Sequence, residues 1–161
     1  MAKIIKKLED GTEMRKVSFY SVKLVREKED EYITNEAITS PVVIDRICRE
    51  VLELDQQAQE SMYLFTLNTK NKINGIFEVS RGTLNASIVH PRDIYQRAVL
   101  QNANSIMIAH NHPSGDPTPS KEDIDITERL VDAGNILGIK LLDHIIIGDN
   151  RYISFGERRL I

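Results

Sequence analysis

His110 and His112 stand two residues apart at the end of an apolar run, and Ser120 and Asp123 follow shortly after them. If SIMIAH, residues 105–110, is a strand that carries on through His112, alternation turns both imidazoles to one face of a sheet. The PSGDPTP stretch then turns the chain back, because proline and glycine favour turns and keep the strand from continuing. Two imidazoles and one carboxylate make a three-ligand set that leaves a fourth position of a zinc ion for water. That is the arrangement of a catalytic zinc, whereas a structural zinc is usually closed by four protein ligands. The pattern therefore reads first as a metal-dependent hydrolase.

A plainer reading stands beside it. Ser-x-x-Asp is close to a capping box, with Ser120 as the N-cap and an acid in the first helical turn, where the helix dipole favours it. The two readings coexist, since one helix start can hold Ser120 still and aim Asp123. A His-x-His pair alone is a weak signal, common in ordinary strands. His-x-His-x7-Ser-x2-Asp is far more specific. The letters HNH do not indicate an HNH nuclease, whose named residues are spread over a longer element, and Asn111 should point away from the histidine pair.

The elements that would carry these residues are legible from Ser40 onward. SPVVIDRICREVLEL has an N-cap at Ser40 and Pro41 at the first helical position. Val43, Ile44, Ile47, Val51 and Leu54 recur at helical spacing. MYLFTLN (62–68) and INGIFEVS (73–80) read as strands around the TKNK turn, where Lys70 and Lys72 are turn charges. Pro91 opens a helix to about Asn102, and SIMIAH follows as a strand. A longer helix runs from Ser120 to near Gly134–Gly138. IKLLDHIII (139–147) and RYIS form a hairpin across GDN. This alternation predicts an α/β (α+β) domain, a mixed β-sheet flanked by helices. The first 37 residues differ: KVSFYSVKLV and EYIT, joined by a charged turn, suggest an N-terminal β-hairpin extension to a domain at 38–161. Such a hairpin offers an edge through which two chains could pair as a homodimer.

Composition narrows the functional classes. With 161 residues, 41% hydrophobic and 28% charged, the chain fits one soluble globular domain. A net charge of −3 gives no general drive toward nucleic acid, so DNA contact would need a local basic patch. Cys48 is the only cysteine, which suits a reducing, cytoplasmic setting. Its bland reading, a small buried apolar residue, outweighs that of a nucleophile. The opening MAKIIKKLEDG lacks the apolar stretch of a signal peptide, and no run is long enough to span a membrane. His90, before Pro91, reads as a local cap. Alternation places only one of Asp143 and His144 on the core side of its strand, and His144 should make a structural hydrogen bond, with support of the metal site as the lesser reading. Arg81, Gly82 and Thr83 look like a turn, with Arg81 a candidate border of a substrate groove.

His110, His112, Ser120 and Asp123 match the motif of the JAMM (MPN+) metalloproteases. The blocks RGTLNASIVHPRD, AHNHPSGDPTPS and LLDHIIIGD resemble those of the bacterial RadC family of JAMM-like domains, from about Ile38 to the C-terminus. The longer RadC form carries a helix-hairpin-helix segment at the front, where this chain has the hairpin-like stretch, so a DNA-binding role of that segment does not transfer. The resemblance implies a three-layer sandwich of the JAMM/cytidine-deaminase kind. It also implies a zinc ion (Zn2+) held by His110, His112 and Asp123, with water as the fourth ligand. A glutamate just before a core strand would serve as general base. Glu60 stands immediately before MYLFTLN, as the family's glutamate does; Glu78, within INGIFEVS, is the second candidate. Glu60 would take a proton from water and pass it to a leaving amine, and the Ser120 hydroxyl would donate to the developing oxyanion. The implied reaction is hydrolysis of a peptide, isopeptide or other amide bond in a peptide-like or protein substrate.

Two alternatives belong to other classes. A DNA-repair or recombination accessory factor would show salt-dependent binding to duplex or branched DNA. A non-catalytic interaction module stabilised by metal would lose melting temperature on metal removal yet turn over nothing.

Overall fold

The computed structural model describes residues 21, 24–27, 37–82 and 89–161. Of the expected N-terminal hairpin only residues 21 and 24–27 are described, and these form no strand; the rest of it, and Thr83, lie outside the described residues. Along the rest run α1 (Pro41–Glu50), β1 (Ser61–Leu67), β2 (Ile73–Arg81), α2 (Pro91–Leu100), β3 (Ser105–Asn111), α3 (Lys121–Leu137), β4 (Lys140–Gly148) and β5 (Arg151–Ser154). They form a five-stranded sheet in the order β2-β1-β3-β4-β5. Only the β3–β4 pairing is parallel, and α3 provides the crossover it requires. The mixed sheet flanked by helices is the α/β architecture expected from the sequence.

β1 and β3 are buried along their whole length, which is why SMYLFTL and SIMIAHN show no alternation of apolar and polar residues. Both sheet faces are covered. Met62, Leu64, Ile106 and Ile108 pack with Ile94 of α2 and Leu130 of α3 on one face. Phe65, Leu67, Met107 and Ala109 pack with Ile44, Ile47 and Cys48 of α1 on the other. The layers are thus helices, sheet, helix. Among the described residues, no helix is long and apolar enough to cross a membrane.

Two local departures have physical causes. α1 stops at Glu50, and Leu54 sits in a 3-10 turn after Glu53, which takes a left-handed φ of 47°. Leu54 is still fully buried in the α1-side core, so its spacing reported burial rather than continued helix. β4 shifts register between its pairings with Ile106 and Met107. Simple alternation therefore fails there, and both Asp143 and His144 are buried, at 5% and 0% exposure, where alternation placed only one inside.

α3 meets α2 at very close range. The Tyr95 hydroxyl donates to the Leu130 carbonyl at 2.7 Å, and burial pushes its pKa up to about 12. A Cβ at Gly134 would overlap the same hydroxyl and lie 2.6 Å from the Ile139 carbonyl oxygen. Alanine in a helix interior is ordinarily favoured over glycine by about 1 kcal/mol. Gly134→Ala is nevertheless expected to destabilise the protein, by roughly 1–3 kcal/mol, because the overlap is with backbone. A urea-unfolding midpoint at or above that of the unsubstituted protein would contradict this packing.

Candidate metal centre

The ends of three elements converge beside β3. β1 and β3 pair with Met62 opposite His110, so Glu60, just ahead of β1, arrives beside the histidines. β3 ends at Asn111, one residue before the expected limit. The His112 N–H still reaches the Ile147 carbonyl at 2.9 Å, so His112 stays tied to β4. Ser120 is the N-cap of α3, and Asp123 is its N3 residue in a complete capping box. The Asp123 amide donates to Ser120 Oγ at 3.1 Å, while the Ser120 amide and hydroxyl donate to Asp123 Oδ2 at 2.7 and 2.6 Å. Capping and aiming of Asp123 are one interaction, as the sequence suggested.

The geometry is tight. His110 Nε2 lies 3.1 Å from Asp123 Oδ1, 3.0 Å from His112 Nε2 and 3.6 Å from Glu60 Oε1. His112 Nε2 lies 3.4 Å from Asp123 Oδ2 and 3.8 Å from Glu60 Oε1. One ligand atom from each of these four residues lies within 4.8 Å of all the others. His112 Nδ1 is 2.7 Å from the Asp116 carbonyl oxygen, which can only accept. Nδ1 therefore carries the hydrogen, and Nε2 is left with the lone pair that faces the cluster. Two imidazoles and two carboxylates in one small volume are a donor set that could hold a metal ion, and the residues fit that use.

The electrostatics agree. Burial alone would raise the Asp123 carboxyl, but a second proton taken up by either imidazole sits on Nε2 and donates to Asp123; that hydrogen bond, the charge it brings and the Ser120 hydroxyl hold the carboxyl well below the usual carboxylate range. His112 is raised, chiefly by its hydrogen bond to Asp123, against desolvation and with help from the Asp116 carbonyl. His144 is pushed well below the ordinary imidazole value, first by complete burial and then by His110, so its ring is neutral.

The other singled-out residues lie elsewhere. Glu78 is bound on β2 by Arg81, at 2.8 Å from Oε2, and by the Tyr63 hydroxyl at 3.0 Å; the Arg81 hydrogen bond is the main cause of its lowered pKa. Of the two glutamates, Glu60 is brought to the histidines. His90 caps α2 by accepting from the Arg92 amide at 3.1 Å. Cys48 is fully buried, and desolvation pushes its thiol upward, which fits a packing role. The Lys70 and Lys72 amides both donate to the Asn68 side chain, which builds their turn.

Sequence reasoning missed two supports. Asn111 does point away from the histidines, but it clamps the chain on both sides of Glu60. Its Oδ1 accepts from the Ser61 amide at 2.8 Å, and its Nδ2 donates to the Gln57 and Gln59 carbonyls at 3.1 and 3.2 Å. The loop after His112 is pinned to the β4–β5 turn. The Asp149 amide donates to the Gly115 carbonyl at 2.9 Å, and Arg151 pairs with Asp116 at 3.2 Å. A Cβ on Gly148 would lie 2.5 Å from that Gly115 oxygen, so the two turns close on each other without room for a side chain.

A family model for the RadC-like JAB domain matches residues 38–160. The chain belongs to this family. It is 52% identical to a UPF0758 protein of Desulfitobacterium hafniense over 124 residues, 77% of this chain and 54% of that protein. A UPF0758 protein of Clostridium beijerinckii is 55% identical over 109 residues, 68% of this chain and 48% of that one. A UPF0758 protein of Caldanaerobacter subterraneus is 52% identical over 124 residues, 77% and 52% of the two chains. The chain thus spans about half the length of the curated relatives it matches.

Protein purified without chelator is expected to carry near-stoichiometric divalent metal, and His112→Ala or Asp123→Ala to lose it. Because His112 is raised and so keeps a competing proton, occupancy should be full at alkaline pH and start to fall at a higher pH than an ordinary imidazole, of pKa about 6.5, would give. Elemental analysis as a function of pH tests both points. Equal metal in the variants, or a flat pH response, would reject the assigned ligands.

Proposed function

We propose that this chain is a zinc-dependent hydrolase of the JAMM type that cleaves a peptide, isopeptide or other amide bond. His110, His112 and Asp123 would hold the metal. A zinc ion bound by such a set supplies Lewis acidity and brings the pKa of water from about 15.7 to near 7. The observation that carries the reading is the position of Glu60, whose carboxylate stands 3.6 and 3.8 Å from the two imidazole Nε2 atoms. Three ligands suffice for a catalytic zinc, so a fourth acidic group at this distance suits a general base. In the proposed reaction Glu60 takes the proton of the attacking water and delivers it to the leaving amine.

Ser120 has a second duty in this reading. Its hydroxyl hydrogen rests on Asp123 Oδ2 in the free site. In the reaction it turns to the developing oxyanion, a donation whose loss typically costs on the order of 10²–10³ in rate. The substrate class is peptide-like, and the lone, buried Cys48 suits a reducing compartment such as the cytoplasm.

Zinc-loaded protein incubated with a mixed peptide library, and with isopeptide-linked peptides, is expected to give new termini detectable by mass spectrometry. Glu60→Gln should retain the metal and lose at least 10²-fold in rate, within the range general-base removal produces. Glu60→Gln cleaving as fast as the unsubstituted protein would end this assignment.

A further inference from the structure

We propose that His144 and Thr127 form a relay that orders hydrogens and holds the His110 ring in the tautomer whose Nε2 lone pair faces the metal position. The proposal rests on the metal-binding reading above and assigns to it two residues outside the ligand set. Thr127, in α3, and His144, in β4, are 1% and 0% exposed. The contacts form an unbroken line: Asp123 carbonyl to Thr127 Oγ1 at 2.5 Å, Thr127 Oγ1 to His144 Nδ1 at 2.6 Å, and His144 Nε2 to His110 Nδ1 at 2.8 Å.

Only one direction of donation is consistent with this line. A carbonyl oxygen cannot donate, so the Thr127 hydroxyl hydrogen lies toward Asp123. Thr127 Oγ1 then meets His144 as an acceptor, and His144 Nδ1 carries the hydrogen. A neutral imidazole has one N–H, so His144 Nε2 is a lone pair and must receive its hydrogen from His110 Nδ1. His110 is left with a bare Nε2, the atom that faces Asp123, His112 and Glu60. His112 reaches the same state through the Asp116 carbonyl.

The relay is held firmly in place. Phe155 stacks on the His144 ring at 4.6 Å with an interplanar angle of 22°. Asp143 Oδ1 accepts from the His144 amide at 2.8 Å, and Asp143 Oδ2 accepts from the Ser154 hydroxyl at 2.6 Å. The same α3 turn thus sends the Asp123 side chain to the metal position and the Asp123 carbonyl to the start of the line that orients His110. His144 and Thr127 are positioning residues in this scheme. Removing the Thr127 hydroxyl lets His144 place its hydrogen on Nε2. His110 Nδ1 must then accept, and the His110 hydrogen moves to Nε2, where it opposes a metal.

Thr127→Val and Thr127→Ser decide the matter through two readouts. Long-range 1H–15N spectra of the metal-free protein should show His110 protonated at Nδ1 in the unsubstituted chain and in Thr127→Ser, but not in Thr127→Val. Competition with a chelator should show zinc affinity reduced 10–100-fold in Thr127→Val and restored in Thr127→Ser. Unchanged affinity and an unchanged His110 tautomer in folded Thr127→Val would overturn the relay alone. An unsubstituted chain that takes up no zinc would instead overturn the metal reading, and the relay with it. Should Thr127→Val fail to fold, His144→Gln, which keeps an acceptor opposite His110, is compared with His144→Leu. Affinity held by the first and lost by the second supports the relay, and equal affinity overturns it.

Discussion

One nitrogen from each of two imidazoles and one oxygen from each of two carboxylates lie within 4.8 Å of one another at the end of β3. Such an assembly of acceptors is repulsive by itself. Two like unit charges about 4 Å apart repel by roughly 4 kcal/mol at the effective dielectric near a protein surface. Free side chains would relieve this by rotating into water. They do not, because each is held from behind: Asp123 by Ser120, His112 by the Asp116 carbonyl, His110 by His144, and the Glu60 segment by Asn111. The packing of the domain serves this enforced convergence, and a proton shared between Asp123 and the histidines, or a metal ion, is what relieves it.

The sheet is the frame for that convergence. β3 lies at its centre, buried on both faces, and it pairs antiparallel to β1 and parallel to β4. The antiparallel pairing brings the start of β1, with Glu60, to the end of β3. The parallel pairing runs β4 in the same direction as β3, so His144 lies alongside Ile108 and within reach of His110. α3 must connect the two strands, and its N-terminus falls at the same edge. Opposite strand directions around one central strand thus gather residues that are far apart in the chain.

What could be read from the chain was what is local. His110, His112, Ser120 and Asp123 sit within one short segment, and their spacing carries their chemistry. The cap at Ser120 and the turn residues of PSGDPTP follow from rules that act over a few residues. The family resemblance points to Glu60 by its place before a strand, and Glu78, its rival in the sequence, is occupied by Arg81 and Tyr63. The supports are less legible for a physical reason, and for His144 support of the metal site is only the lesser reading of the sequence. His144 lies 34 residues from His110, and the Gln57 carbonyl held by Asn111 is 54 residues away. Their roles depend on strand register, and the shift in β4 that buries both Asp143 and His144 leaves no mark in the alternation of residue types. Leu54 shows the converse, an apolar position whose burial survives while the helix does not.

The close fit of the two turns beside the candidate metal centre has a consequence for how this domain can diverge. Surface turns are ordinarily where chains gain and lose residues at little cost. Here the Gly148–Arg151 turn of one hairpin meets the Gly115–Pro117 stretch of another loop, joined through the Asp149 amide and the Arg151–Asp116 pair. The Asp116 carbonyl at that junction orients His112. One residue added to the β4–β5 turn would push against the backbone that sets the ring. This exposed corner is therefore constrained in length like an interior segment, and diversity among such domains must be sought on surfaces remote from it.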